Sequence, residues 1–422
     1  MFWLIETKEQ LDDFASRLYE KVFIEIIPYS NTEHPTQNQI CGVYVRPLDA
    51  PKGFVISISH SETLSLDINE VINVLNNVKT KYVRDKKEFL HYFVMQGLYD
   101  ITLSSPPYIP SPTPTHTFFY SRNETKTDIN RIIPIVKHYE YCEKIFNDLK
   151  DRTNESVNEF YNNKATVVFN AIERSGLRID QGRFKESFYN ANSDFVYTQY
   201  NFKTLTTRPS NKFKGVNYAA LPKENKVRNC FIPRNDILVE LDISAYHPTL
   251  LANLVGYEFK NKDIHEELAN MYQVDYQKSK ELTFKQLYGG IFEQYKNLEF
   301  FNKVQVYTDD LWDNFQYVGE VKCPISGYMF YKNKLENMNP QKLLNYLLQN
   351  LETSNNVNIL WEIFKLLKGK NTKLVLYTYD AFLFDIDKQE KDTFNAILKV
   401  FETNNLQIKM SYGYTYDFTK ES

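Results

Sequence analysis

Cysteine is scarce and scattered in this sequence: Cys41, Cys142, Cys230 and Cys323 lie far apart and form no CxxC pair. Such spacing offers neither a disulfide framework nor a structural zinc site, and it suits a reducing compartment. Long apolar runs are also missing. No stretch of about 20 apolar residues occurs, so no membrane-spanning helix is expected. The opening Met-Phe-Trp-Leu-Ile-Glu meets a charge too early for a secretory leader. The expectation is a soluble protein with no membrane partner, cytoplasmic in its cell or host cell. There is no excess of either charge sign: 50 Lys and Arg stand against 53 Asp and Glu, for a net charge of −3. A purely electrostatic nucleic-acid binder is usually basic, and this balance argues against one. Internal repeats and low-complexity tails are absent too.

The 422 residues suffice for two to four packed units, and a 42% hydrophobic content allows a sizeable core. The 31 Tyr and 30 Phe suit strands and core, but such rings also supply stacking faces for bases, and composition does not separate the two uses. Charge is uneven along the chain. Lys203, Arg208, Lys212, Lys214, Lys223, Lys226, Arg228 and Arg234 face only Glu224 within their span. That excess could bind phosphates or be a solvated loop.

The first hundred residues alternate strand-like runs (Val22–Ile27, Ile40–Val45, Phe54–Ser59) with helical spacing over 68–77 and 87–97, an α/β pattern. Ser104–Pro114 carries five prolines and reads as an extended boundary loop. Residues 132–149 and 157–173 are amphipathic and helical, with Gly176 as a stop. After Ile237 strands and helices alternate to the end.

Three segments carry chemistry. Ile237–Ala252 reads as a buried strand running into a helix, with Asp242 at the strand end. Lys373–Ile386 reads as strand, tight turn, strand, with Asp380 at the tip. Taken singly, these acids are a helix cap and a turn former. Taken together they invite another reading, because phosphoryl transfer needs rigidly held carboxylates to bridge two divalent ions. Between them Lys280, Phe284 and Tyr288 recur every four residues and share one helix face, a cation and two rings suited to a nucleoside triphosphate. An amphipathic helix with a Gly stop would look the same.

The order of these segments resembles motifs A, B and C of the family A (DNA polymerase I-type) polymerases. Further matches follow in order over residues 204–416. Thr207-Arg208-Pro-Ser210 with Asn217, Leu221-Pro222, Arg228 and Phe231-Ile-Pro233 is similar to the block before motif A. Asn345-Tyr-Leu-Leu-Gln349 resembles the segment between B and C, and Ile408–Gly413 the final strand. The resemblance implies an α/β and α+β multidomain fold: an RNase H-like exonuclease-type N-terminal domain (1–127), a helical linker and thumb (128–203), and palm and fingers (204–422) of a right-hand polymerase. It implies Asp242, Asp380 and Lys280 as catalytic residues. Asp242, Asp380 and the Ile243 carbonyl would hold two Mg2+, with Mn2+ as a substitute. Ile243, Ser244, Tyr246, His247, Lys280, Phe284 and Tyr288 would bind the nucleotide, and Arg208, Arg228, Asn345, Gln349 and Tyr379 the primer–template. The implied partners are primer–template DNA and dNTPs, with a processivity factor or helicase beyond them, acting on a monomer.

Departures from the family pattern narrow the expectation. Tyr276 stands where the family has an Arg, which would leave Lys278 to share the phosphate role. His247 stands at the sugar-gating place of an acid, Tyr379 at that of a His, and Ala381 at that of an acid. In the N-terminal segment only Glu25 survives of the exonuclease D–x–E, because Phe23 replaces the Asp. Tyr99-Asp100 matches a second motif, and no third acidic motif is found near 132–141. A compact phage-like DNA-directed DNA polymerase without proofreading is the expectation. A single-subunit RNA polymerase or primase, and a catalytically inactive DNA-binding replication scaffold, are the alternatives.

Overall fold

The β-rich runs of the first hundred residues pair into one mixed sheet. Its strands are β1 (Trp3–Ile5), β2 (Lys21–Pro28), β3 (Ile40–Pro47), β4 (Phe54–Ser57), β5 (Thr80–Val83) and β6 (Leu98–Asp100), in the order β1-β4-β3-β2-β5-β6. Only β3 runs against its neighbours β2 and β4, while the other pairings are parallel. Both faces are covered, which is why β2 reads as a continuous apolar run. Val22 and Ile24 pack with Leu11, Phe14, Val71 and Leu75, whereas Phe23 and Ile27 pack with Tyr44, Ile145 and Phe146.

The computed structural model describes residues 3–108, 128–223, 226–261 and 263–418. They form two compact units, Met1–Arg174 and Ser175–Ser422. The stretch expected as a linker and thumb, 128–203, is therefore divided, its first part clustering with the N-terminal unit and its remainder with the C-terminal one. Of the expected proline-rich boundary loop, residues 109–114 lie outside the described residues.

Helices of the first unit follow their caps. Helix α1 (Lys8–Ser16) opens on a Thr7/Gln10 capping box, α2 (Ile68–Asn76) on Asp67, and α3 (Lys86–Tyr92) on Asp85. Helix α3 stops short of the expected Gly97, because the chain turns there at φ +65 to add β6 to the sheet. Helix α4 (Ile135–Leu149) starts only after Pro134, which has no amide proton to continue a helix through. A π turn over Tyr161–Ala165 precedes α5 (Thr166–Ser175), and Gly176, in the left-handed region, ends it as expected. The π turn aims Asn162 at the sheet, where its side chain accepts the Asp100 amide (2.9 Å) and donates to the Leu98 carbonyl (3.1 Å).

The second unit is organised on an antiparallel sheet of β12 (Ile237–Ile243), β15 (Lys373–Thr378), β16 (Ala381–Ile386) and β17 (Ile408–Gly413), ordered β15-β16-β12-β17. Short strands β7 (Leu177–Arg178), β8 (Phe195–Val196), β9 (Tyr200–Asn201), β10 (Ser210–Phe213) and β11 (Val216–Asn217) precede it, and β13 (Glu320–Lys322) and β14 (Met329–Tyr331) pair antiparallel. Its longer helices are α6 (Tyr246–Val255), α7 (Ile264–Tyr272), α8 (Tyr276–Gly289), α9 (Glu299–Val318), α10 (Pro340–Leu367) and α11 (Lys391–Thr403), and a short helix spans Gln181–Ser187. Helix α10 is unusual in composition: Asn350, Glu352, Thr353, Ser354 and Asn356 are all buried at its middle. Polar groups persist in a core only when bonded, so this helix must serve partners on several sides. Among the described residues no helix is long and apolar enough to cross a membrane.

Candidate functional site

The hairpin β15–β16 turns through two residues, Tyr379 and Asp380, since Thr378 pairs with Ala381. Asp380 thus sits at the tip, as the sequence predicts. Strand β12 pairs beside β16 with Asp242 opposite Ala381, and the Ile243 amide donates to the Asp380 carbonyl (2.9 Å). Register alone therefore brings Asp242 and Asp380 to one end of one sheet. Tyr379 takes φ +61, a costly conformation for a bulky residue. It is held there by Asn356, which donates to its carbonyl (2.6 Å), and by the Arg208 guanidinium, 3.8 Å above its ring.

Past Asp242 the chain turns sharply. Ser244 donates its amide to the Gln407 carbonyl (2.8 Å), Ala245 takes φ +48, and α6 begins. The acid pair is electrostatically uneasy. Burial and then the charge of Asp242 push Asp380 up to about 6. Burial raises Asp242 too, against the opposing charges of Lys223, Lys409 and Lys280. Neither carboxylate accepts a hydrogen bond from another side chain among the described residues.

Helix α8 carries the expected face. Phe284 and Tyr288 are 46% and 39% exposed, and their rings lie parallel within 9° at 6.0 Å. Lys280 extends the row, its ammonium 4.5 Å from the Tyr276 ring. Lys278, expected to share its role, pairs with Glu281 (3.2 Å) off that face. The Tyr288 hydroxyl meets Nδ1 of the buried His247 (2.6 Å), and Asn345 donates to the Tyr288 carbonyl (3.3 Å). Gln349 accepts from Thr206 (3.0 Å). Tyr246 departs from expectation. It is 5% exposed, and its hydroxyl donates to Asn356 (2.7 Å) and accepts from Asn355 (2.9 Å), so it braces α6 on α10 rather than facing open space. Arg228 lies over the Tyr416 ring (4.5 Å), and Tyr416 donates to Glu240 (2.8 Å) two residues before Asp242, on the same face of β12.

Sequence reasoning missed several residues of this constellation. Lys409 is the cross-strand partner of Asp242 on β17, a position only pairing reveals. Asn356 and Glu352 arrive from α10, more than a hundred residues from Asp242. His265, in the first turn of α7, is buried edge-on to Tyr276, and its Nδ1 has no hydrogen-bond partner among the described residues. Burial and then Lys280 push it down to about 4. Its one local signal is Asp263, the cap two residues before it.

This fold is that of a known polymerase domain. The chain matches the POL domain of Pol1 from M. smegmatis, solved in complex with DNA primer-template and dNTP, with a TM-score of 0.71 at 13% identity, over 98% of this chain and 99% of that one. Comparison with protein-family models gives no match, and neither does comparison with curated proteins.

Two adjoining carboxylates with free oxygens at rigid strand ends fit a hard divalent cation, which would relieve their mutual repulsion. Elsewhere among the described residues one trio has possible metal ligands within 4.8 Å of one another: His34, His91 and Glu173, in the first unit. Its protons argue otherwise. His34 Nδ1 accepts the Thr36 amide (3.2 Å), so in the neutral ring Nε2 carries the hydrogen. His91 Nε2 donates to Glu173 (2.8 Å), and the Lys87 ammonium takes its other oxygen (2.6 Å). Both oxygens of Glu173, both ring nitrogens of His91 and Nδ1 of His34 are therefore engaged in hydrogen bonds.

Proposed function

We propose that the chain is a template-directed DNA polymerase that adds deoxynucleotides to a primer 3′-OH. One observation carries the proposal: register sets Asp242 and Asp380 side by side, with the charge of Lys280 felt at Asp242, in a fold shared with a polymerase domain. On this reading the sheet β15-β16-β12-β17 is the palm, and α7 and α8 belong to the fingers.

Asp242, Asp380 and the Ile243 carbonyl would hold two Mg2+ ions, with Mn2+ as a substitute. Bound there, the ions would acidify the primer hydroxyl and offset charge on the phosphoryl group. The chain's own groups do the positioning. Lys280 offers its ammonium to the triphosphate, with the imidazole of His265, whose Nδ1 has no hydrogen-bond partner among the described residues, close by. Phe284 and Tyr288 present exposed parallel rings to the nucleotide. Ser244 and His247 lie on the sugar side. Arg208, Tyr379, Asn345 and Gln349 stand toward the primer end, and Arg228 lies further along the same sheet face. The 3′-oxygen attacks the α-phosphorus and pyrophosphate leaves.

The first unit is read as an RNase H-like, exonuclease-type domain without its chemistry. The single reversed strand β3 in the order β4-β3-β2-β5-β6 supports that fold. The loss of activity is supported by Glu25, whose two oxygens are bonded by Arg84 at 2.7 to 3.1 Å where a cation would have to enter. Asp100 is engaged by the Lys86 and Thr102 amides at 3.0 Å each.

Extension of a primed template with dNTPs, with and without Mg2+, tests the proposal beside Asp242→Ala and Asp380→Ala. Metal-dependent extension lost in both variants supports it. Extension undiminished in either would sink it.

A further inference from the structure

Glu352 has no part in the chemistry above, yet it joins three elements of the site. It lies midway along α10, 2% exposed, and its two oxygens serve different partners. Oε1 accepts Nε of Arg208 at 3.1 Å, and Oε2 meets Nε2 of His247 at 2.5 Å. The other ring nitrogen of His247, Nδ1, meets the Tyr288 hydroxyl at 2.6 Å. The chain of contacts thus runs from Arg208, which covers the Tyr379 ring at the hairpin tip, through α10 and α6 to the exposed aromatic face of α8.

We propose that Glu352 is a positioning residue that sets the tautomer and angle of His247, and through it the orientation of Tyr288, so that the pair discriminates between deoxy- and ribonucleotides. The proposal rests on the polymerase reading above. The directions of the hydrogen bonds carry it. A carboxylate only accepts, so the proton between Glu352 and His247 belongs to His247 Nε2. In the neutral ring Nδ1 is then an acceptor and takes the phenolic proton of Tyr288. Arg208 can only donate, so Oε1 accepts as well. Every proton in the relay then has one place. Steric selection at a sugar depends on placement to well within an ångström, and a ring held at both nitrogens cannot turn aside. His247 lies five residues past Asp242 in the first turn of α6, with its ring edge-on to Tyr288 at 5.8 Å. Small motions at that ring therefore reach the face where the nucleotide would stack.

Glu352→Gln tests the relay with almost no change of shape. An amide can still accept from Arg208, but its NH2 must donate to His247 Nε2. That moves the ring proton to Nδ1 and reverses the bond to Tyr288. The measurement is kcat/KM for dNTP and for the matching NTP on one primed template. It is made for the parent chain, Glu352→Gln, His247→Ala and the double variant, with melting curves on each. Loss of one charge-assisted hydrogen bond should lower the deoxy preference of Glu352→Gln roughly tenfold. In the His247→Ala background the same change should have no further effect on selectivity, a non-additivity that a merely structural role would not produce. Should Glu352→Gln fail to fold, Tyr288→Phe reads the relay from its far end. Reduced selectivity there supports the proposal, and unchanged selectivity overturns it. Unaltered selectivity in a folded Glu352→Gln, or fully additive effects in the double variant, overturns the role of Glu352 and leaves the polymerase reading standing. A parent chain that incorporates neither nucleotide overturns both.

Discussion

Acidic side chains sit on or beside the main sheet in both units, and Glu25, Asp100 and Glu173 of the first are handled in the opposite way from the Asp242–Asp380 pair of the second. In the first unit each acid has its own donors. Glu25 takes Arg84, Asp100 takes two backbone amides, and Glu173 takes Lys87 and His91. Burial alone would raise Glu173, but Lys87 and the hydrogen bond from His91 outweigh it and leave it below the usual carboxylate range. In the second unit Asp242 and Asp380 are raised by burial, and the charge of Asp242 adds to the rise of Asp380. The difference teaches where to look for function. A carboxylate matched from within the fold is part of the architecture, whereas an unmatched pair is stored repulsion that an outside cation relieves.

The largest effect expected from breaking this contrast is at the unmatched pair. Asp242→Ala or Asp380→Ala should lower incorporation by about a thousandfold or more, with the melting temperature held or raised because a like charge is removed. Next is Arg84→Ala, which strands Glu25 in the interior. Denaturant titration should show a loss of about 3–5 kcal/mol. The variant should gain no metal-dependent shortening of a mismatched primer, and shortening by it would erase the distinction between the units. Acid should then act on the first unit. Burial holds His138 at about 4 against an ordinary 6.5, and outweighs the opposing effect of the bond its Nε2 donates to the Asn130 carbonyl (2.7 Å). The unfolded chain therefore takes up this proton first as pH falls. The stabilisation is full above pH 6.5 and erodes down to about 4, by on the order of 3 kcal/mol. A melting midpoint that does not move across that window would contradict the assignment. The smallest effect is at the stacking face: Phe284→Ala should raise KM for the incoming nucleotide roughly tenfold, in line with about 1–3 kcal/mol per stacked ring.

Local pattern went far in this chain. The apolar runs at Val22, Ile40 and Phe54 became β2, β3 and β4. The strand–turn–strand at Asp380 and the four-residue recurrence of Lys280, Phe284 and Tyr288 also took the expected shapes, since hairpin tips and helix faces follow from short-range rules. The surroundings of Tyr246 are the opposite case. Its neighbours in sequence do not say that Asn356, on α10, receives its hydroxyl, whereas the Lys278–Glu281 pair, three residues apart on one helix, is a local contact. The 128–203 stretch reads as one helical linker and thumb, but which core each of its parts packs against is a long-range matter that its helical spacing does not carry.

The sequence by itself determined the elements, the order of the motif-like segments, and the two aspartates as the residues to watch. Only the tertiary structure decided which acids remain unmatched. Arg84 reaches Glu25 across 59 residues, and Glu352 reaches His247 across 105. Whether a carboxylate meets a donor or another carboxylate is settled by strand register and helix docking. Those are long-range contacts that no local periodicity encodes.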